Sequence, residues 1–458
     1  MTRVLLVSTY DLGHQSFGLA SPAAWLAADG AEVSCLDLAV QTLDEAVVRA
    51  ADLVAFYLPM HTATRIAADL IPRVRLLNPR ARLCAYGLYA PVNRDLLHEL
   101  GVDAVIGGEF EEPLAALVRG DGEHDTVSLA RQDFLVPSRQ DLPTLDRYAH
   151  LTLPDGTTRT VGYTEATRGC KHLCRHCPIV PVYGGRFRVV QRDVVLADIR
   201  QQIAAGAQHI TFGDPDFFNG PAHALALVRS IHEEFPELTY DVTIKVEHLV
   251  ANLDRMSVLR DTGCIMITSA VESVDERILE IFDKQHSRAD FLKVVNGLRE
   301  VGIHLNPTFV AFTPWTSLEG YMAFLDEIDE LDLVASVAPI QYAIRLLIPE
   351  GSKLLELADV QNLVEPFDRT RLCYPWRHPD PAVDALQEAV FALVAEATER
   401  RESRAAVFDA VRPLVAAQVG GPTVTNPRPI RTSRPVPQLS EPWYCCAEPT
   451  EDQRISPI

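Results

Sequence analysis

Three closely spaced thiols are the clearest chemical signal in this chain. Cys170, Cys174 and Cys177 stand in the stretch Glu165-Ala-Thr-Arg-Gly-Cys-Lys-His-Leu-Cys-Arg-His-Cys-Pro178, with the spacing C-x3-C-x2-C. Thiolates are soft ligands that hold iron, zinc or copper. Closed zinc and ferredoxin sites normally take four protein ligands, and the next cysteine here is Cys264. Three thiolates fill three corners of a cubane cluster and leave one iron open to a non-protein ligand. His172 and His176, inside the loop, leave a mixed zinc site as an alternative. Plain packing is the bland reading of any cysteine, but it does not explain why three of nine cysteines fall in one short loop.

Other candidates lie just past stretches that read as strands. Asp214, Asp216 and Asn219 follow Gln208–Phe212, with an Asp-Pro turn and helix cap as the plain alternative. Lys245, Glu247 and His248 end the stretch beginning at Thr239. Ser269, Glu272 and Ser273 follow Cys264–Thr268. Arg186 and Arg188 sit in a Gly-containing loop after the cysteines, and an arginine fork there suits a carboxylate or another anion. Near the end of the chain, Cys445 and Cys446 are adjacent within Glu441-Pro-Trp-Tyr-Cys-Cys-Ala-Glu-Pro449. Vicinal thiols suit thiophilic species or redox exchange, whereas a disordered end is the ordinary state of a terminus.

The elements that must position these residues read as an α/β protein. In residues 1–125 apolar runs such as Val4–Val7 and Leu53–Tyr57 alternate with amphipathic segments. This predicts an open parallel sheet covered on both faces, with ligand-facing residues beyond the strands' carboxyl ends. Residues 126–160 form a bridge ending in a Pro-Asp-Gly turn. Residues 161–350 give about six strand–helix units, a partial (β/α)6 barrel, with Ser336–Ile344 as the last strand and Cys264 as packing. Residues 351–418 form a small helical extension, with helices over Pro381–Ala397 and Glu402–Val415, the second shortened by Pro413. Residues 419–458 form a Pro-, Thr- and Arg-rich tail.

Bulk properties bound the partners. The chain has 458 residues, 47% of them hydrophobic, and a formal charge of −20. That length suits two or three domains. The charge argues against general nucleic-acid or anionic-membrane binding. No apolar run reaches membrane-spanning length, and the amino terminus reads as a first strand rather than a signal peptide. A cytoplasmic location and free cysteines are expected.

The cysteine loop resembles the cluster motif of the radical S-adenosylmethionine (SAM) enzymes. There three cysteines hold a [4Fe-4S] cluster, and SAM chelates the fourth iron. The preceding alternation, closed by Ile106-Gly-Gly-Glu-Phe-Glu111, resembles the cobalamin-binding domain that precedes many such enzymes. The segment Asp11-Leu-Gly-His14 departs from the base-off D-x-H-x-x-G spacing. Cys445-Cys446-Ala-Glu-Pro449 resembles the CUAEP/CCAEP-tail radical SAM proteins. The resemblance implies a cluster on Cys170, Cys174 and Cys177. It implies SAM contacts from Asp214, Asp216, Lys245, Ser269, Glu272, Ser273 and Arg186, and chemistry at Cys445 or Cys446. Cobalamin is a further candidate cofactor. It also implies an external electron donor such as flavodoxin or ferredoxin, and a small-molecule substrate modified by radical chemistry or group transfer. Alternative outcomes are 3-amino-3-carboxypropyl transfer to a thiophilic acceptor such as trivalent arsenic, cobalamin-dependent methyl transfer, or a non-catalytic iron–sulfur redox or sensor role.

Overall fold

The computed structural model describes residues 1–121, 126–419 and 435–441. The first sheet comprises β1 (Arg3–Ser8), β2 (Glu32–Asp37), β3 (Leu53–Tyr57), β4 (Arg82–Tyr86), β5 (Ala104–Gly108) and β6 (Val127–Ser128). Its order is β2-β1-β3-β4-β5-β6, and every pairing is parallel. Side chains alternate across a pleated strand, so two apolar layers form. Leu5 and Val7 of β1 join Val54 and Phe56 of β3 on one face. Val4 and Leu6 join Leu53, Ala55 and Tyr57 on the other. The continuous apolar runs in the sequence reflect this burial on both faces. β6 comes from the predicted bridge, which therefore extends the first sheet.

The second sheet begins with β7 (His150–Thr152) and β8 (Thr158–Thr164). The antiparallel pair β9 (Thr167–Gly169) and β10 (Phe187–Val189) follows, and it brackets the cysteine loop. β11 (His209–Phe212), β12 (Thr239–Thr243), β13 (Cys264–Glu272), β14 (His304–Phe309) and β15 (Gln438–Leu439) complete the strands. The order is β14-β13-β12-β11-β8-β7-β15. The strands β8 and β11 to β14 pair in parallel, and β7 and β15 extend the β8 edge antiparallel. Helices over Arg192–Ala204, Pro221–Glu234 and Arg288–Val301 cover the outer face. Cys264 is buried among their apolar side chains, as packing requires.

Two expectations are corrected. Ser336–Ile344 is not a ladder strand: Pro339–Tyr342 forms a 3-10 turn, and the sixth position is reduced to one parallel bridge, Phe312 to Arg345. Proline lacks the N–H that a ladder needs, and the Gln341 side chain instead accepts from Phe309 N at 2.7 Å. Pro413 does not shorten the last helix, which runs Arg404–Val419.

Candidate active site

A cavity of about 350 Å³ lies between the carboxyl ends of both sheets. The first sheet contributes Asp11, His14, Tyr57, Met60, Tyr89 and Phe110 to its wall. The second contributes Asp214, Asp216, Lys245, Thr268, Glu272 and Asn306. Cys170, Cys174 and Cys177 open into this cavity; Cys35, Cys84, Cys264 and Cys373 do not.

The cysteine loop is held from several sides. Gly169 has φ +72°, and a Cβ there would lie 2.3 Å from the Tyr183 ring and 2.6 Å from Arg186 O, so only glycine fits. Asn219 accepts from Lys171 N at 3.1 Å and donates to Gly169 O at 3.0 Å. Arg175 N donates to Phe282 O, and the Arg175 guanidinium donates to Glu280 O and Ile281 O. Burial pushes the Cys170 thiol up to about 11 and the Cys177 thiol further up. Such thiols become good ligands when a cation displaces their protons. Three sulfurs, an open wall and the nearby Lys284 cation suit an anionic cluster with one uncapped metal.

Asp214 is buried and accepts from Ala166 N at 2.9 Å and from Thr167 Oγ1 at 2.6 Å. It thereby ties β11 to the start of the cysteine segment. Burial, only partly offset by those hydrogen bonds, raises its carboxyl to about 7. Asp216 Oδ1 accepts from Phe218 N at 3.0 Å, the predicted turn cap. Glu272, with φ +69° at a register shift against β14, meets His176 Nε2 at 3.0 Å and Lys284 Nζ at 3.2 Å. Burial would raise its carboxyl, but Lys284 and His176 outweigh burial and hold it at about 2. Lys245 Nζ lies 2.9 Å from Glu247 Oε2 and 3.2 Å from His172 Nδ1.

Three expected residues lie elsewhere. On β13 the side chains of Met266, Thr268, Ala270 and Glu272 face the cavity. Ser269 has the opposite parity; it points away and donates to Ile244 O at 2.7 Å. Ser273 accepts from Asp275 N at 3.0 Å and shapes the turn into the next helix. Arg186 is exposed and outside the cavity wall. Cys445 and Cys446 lie outside the described residues.

Two features escaped the sequence reading. Arg168 is buried, and its guanidinium grips Glu111 of the first domain at 2.6 and 2.8 Å and Glu165 at 2.6 Å. Phe17, Phe110 and Phe134 surround it. Arg168 stands two residues before Cys170, so the contact between domains is built into the cysteine segment. Glu109 and Glu111 were visible as a signature, but their cation was not. The second feature is the strap Pro435–Glu441. β15 pairs with β7, Tyr10 OH donates to Glu441 Oε1 at 2.5 Å, and Pro437, Gln438, Leu439 and Glu441 line the same cavity.

The comparisons with known proteins agree with this architecture. Residues 164–316 match the radical SAM superfamily model and residues 3–118 match the B12 binding domain. A methylthiotransferase-type protein of Methanocaldococcus jannaschii is 21% identical over 64% of this chain and 68% of its own length. The ribosomal protein uS12 methylthiotransferase RimO of Bacteroides thetaiotaomicron is 22% identical over 36% of this chain, which spans 40% of that relative. The hopanoid C-3 methylase of Methylococcus capsulatus is 24% identical over 35% of this chain, which spans 30% of it. Among solved structures, the cobalamin-dependent SAM radical enzyme OxsB, with aqua-cobalamin and SAM bound, superimposes with a TM-score of 0.68. It is 13% identical and covers 85% of this chain and 66% of its own. The radical SAM methyltransferase TsrM of Kitasatospora setae, with cobalamin and a [4Fe-4S] cluster bound, gives 0.60 at 17% identity, over 80% of this chain and 77% of its own. The chain therefore carries a radical SAM domain, with a B12-binding domain ahead of it.

Proposed function

We propose that this chain is an enzyme that cleaves SAM reductively and modifies, or transfers a group to, a small molecule held between its two domains. One observation carries the reading: the three loop cysteines open into the same cavity as the strand-end acids and the rim of the first sheet. Cys170, Cys174 and Cys177 would hold the [4Fe-4S] cluster. When bound, the cluster and SAM supply the radical chemistry, and the protein supplies geometry and water exclusion. Asp214, Asp216, Lys245 and Glu272 are the SAM-facing candidates. Asp214 lines the cavity beside the cysteine segment, from whose Ala166 N and Thr167 Oγ1 it accepts.

Cobalamin is a second cofactor candidate. Tyr57, Met60, Leu88, Tyr89, Gly108 and Phe110 turn the rim of the B12-binding domain toward the cavity as a largely apolar wall. His14 lines the same wall, its ring stacked on Tyr163 at 4.7 Å. Bound against this wall, cobalamin would supply methyl-transfer chemistry. The strap supports a role for Cys445 and Cys446. Cys445 stands four residues past Glu441, and four extended residues span at most roughly 14 Å. Either thiol would hold a thiophilic acceptor or donate hydrogen to a product radical. The electron donor would be a flavodoxin or ferredoxin in a reducing, cytoplasmic setting; among the described residues no helix is long and apolar enough to cross a membrane.

Anaerobic reconstitution with SAM and dithionite tests the reading. Formation of 5'-deoxyadenosine supports hydrogen abstraction, and methylthioadenosine supports aminocarboxypropyl transfer. S-adenosylhomocysteine supports methyl transfer, and absence of all three refutes the enzyme reading and leaves a redox or sensor protein. Visible absorption of the purified protein tests cobalamin. Full turnover by a Cys445→Ala, Cys446→Ala double variant would remove the tail from catalysis.

A further inference from the structure

Beside the cysteine loop, three side chains from separate elements converge. His172 lies in the loop, Asp216 in the turn after β11, and His248 in the short helix after β12. One ligand atom from each lies within 4.8 Å of the other two. The Nε2 atoms of His172 and His248 are in mutual hydrogen-bond contact at 3.1 Å, a contact that a metal on His172 Nε2 would replace. His248 Nδ1 stands 2.6 Å from Asp216 Oδ2, yet the pair lacks hydrogen-bond geometry, and both atoms are buried without a hydrogen-bond partner. Asp216 is 1% exposed and His248 5%. Leaving buried polar atoms unsatisfied is unfavourable, and a cation shared between a carboxylate oxygen and an imidazole nitrogen satisfies both.

We propose that His172, Asp216 and His248 form a second metal site, separate from the three thiols, for a divalent ion of borderline softness such as Zn²⁺, Fe²⁺ or Co²⁺. Two imidazoles and one carboxylate match those ions better than Mg²⁺ or Ca²⁺, which prefer all-oxygen shells. Three protein ligands leave a coordination position open. His172 and Asp216 are in the cavity wall and His248 stands behind them, so that position faces the cavity. It would take an anionic oxygen or an amino group of the substrate and hold it beside the cysteine loop. The surroundings fit. His172 Nδ1 lies 3.2 Å from Lys245 Nζ and 3.4 Å from Glu247 Oε2; with a metal on Nε2, Nδ1 would donate to Glu247, the carboxylate contact that orients a metal-bound imidazole. Lys245 is the nearest cation, and it is already paired with Glu247 at 2.9 Å.

The test uses full-length protein whose iron–sulfur cluster has been assembled anaerobically. This protein is titrated with Co²⁺, whose d–d absorption reports nitrogen and oxygen ligands and whose charge-transfer band reports thiolates. One equivalent with a nitrogen and oxygen spectrum is expected, with cluster iron and sulfide unchanged. Asp216→Asn and His248→Ala should lose that equivalent while keeping cluster iron, which also checks folding. Should His248→Ala fail that check, Asp216→Asn decides alone. Glu247→Gln should weaken Co²⁺ binding about 10- to 100-fold. No bound equivalent, a thiolate spectrum, or undiminished binding in the folded ligand variants overturns the proposal. Cluster iron is measured separately, so this outcome is distinguishable from failure of the cluster assignment.

Discussion

Replacing Arg168 with methionine should loosen the junction between the domains in a pH-dependent way. The guanidinium is 6% exposed and faces Glu111, Glu165 and, at 3.6 Å, Glu109. Burial alone would raise the Glu111 carboxyl, but the charge and hydrogen bonds of Arg168 outweigh burial and hold it below its ordinary value. Burial raises Glu109 to about 7, although Arg168 pulls it down. Removing one partner of a buried ion pair costs about 3–5 kcal/mol, because the other charge stays buried. For a domain of ordinary size each kcal/mol lowers Tm by about 2–4 °C, so the loss should be roughly 6–20 °C. The sign with pH follows from the orphaned carboxylates. Without Arg168 the folded-state value of Glu111 rises above the unfolded value of about 4.3, and that of Glu165, which burial already raises, rises further. The folded variant then holds extra protons, and its stability is lost as pH rises through those raised values. Thermal unfolding should therefore show a larger deficit at pH 8 than at pH 6. An added Glu111→Gln should recover part of it, because contacting residues couple. A variant within about 2 °C of wild type at pH 8, or a deficit independent of pH, would refute the reasoning.

Other predictions address the cluster, the first domain and the strap. Cys174→Ala should lose its cluster iron on anaerobic reconstitution while keeping wild-type circular dichroism; retained iron would remove Cys174 from the ligand set. Burial raises Asp11 from 3.8 to about 8, so the wild type should lose stability as pH rises from about 4 to 8. Asp11→Asn removes that ionisation. It should be more stable than wild type by up to a few kcal/mol at pH 9 and nearly equal at pH 4; denaturant midpoints at both pH values check this. Truncation after residue 434 removes Ser440, whose Oγ accepts from His150 N at 3.0 Å. Amide hydrogen exchange at His150 should accelerate, and unchanged exchange would show that the strap does not hold β7.

Much of the architecture was legible because its signals are local. The two-faced burial of β1 and β3 is written in unbroken apolar runs, and the cysteine spacing is written within eight residues. Failures came where direction or partner mattered. Ser269 and Glu272 are three residues apart on one strand, so no single pleat aims both into a cavity; parity alone would have excluded one of them. The sixth strand failed because the edge of β14 is satisfied by the Gln341 side chain, 32 residues away, a choice that no local propensity records. Ser273 was absorbed by the turn that starts the next helix.

The sequence by itself determined the ligand chemistry: three thiols at fixed separation, acids at strand ends and an α/β alternation ahead of them. Covalent geometry and short-range periodicity suffice for that. Only the tertiary structure decided which residues share a cavity. It brought Arg168 to Glu111 across 57 residues and Tyr10 to Glu441 across 431. It also placed His248 against Asp216 and turned Arg186 out to solvent. These outcomes depend on how layers pack and where charge must be compensated when buried, and residue spacing along the chain carries little of that information.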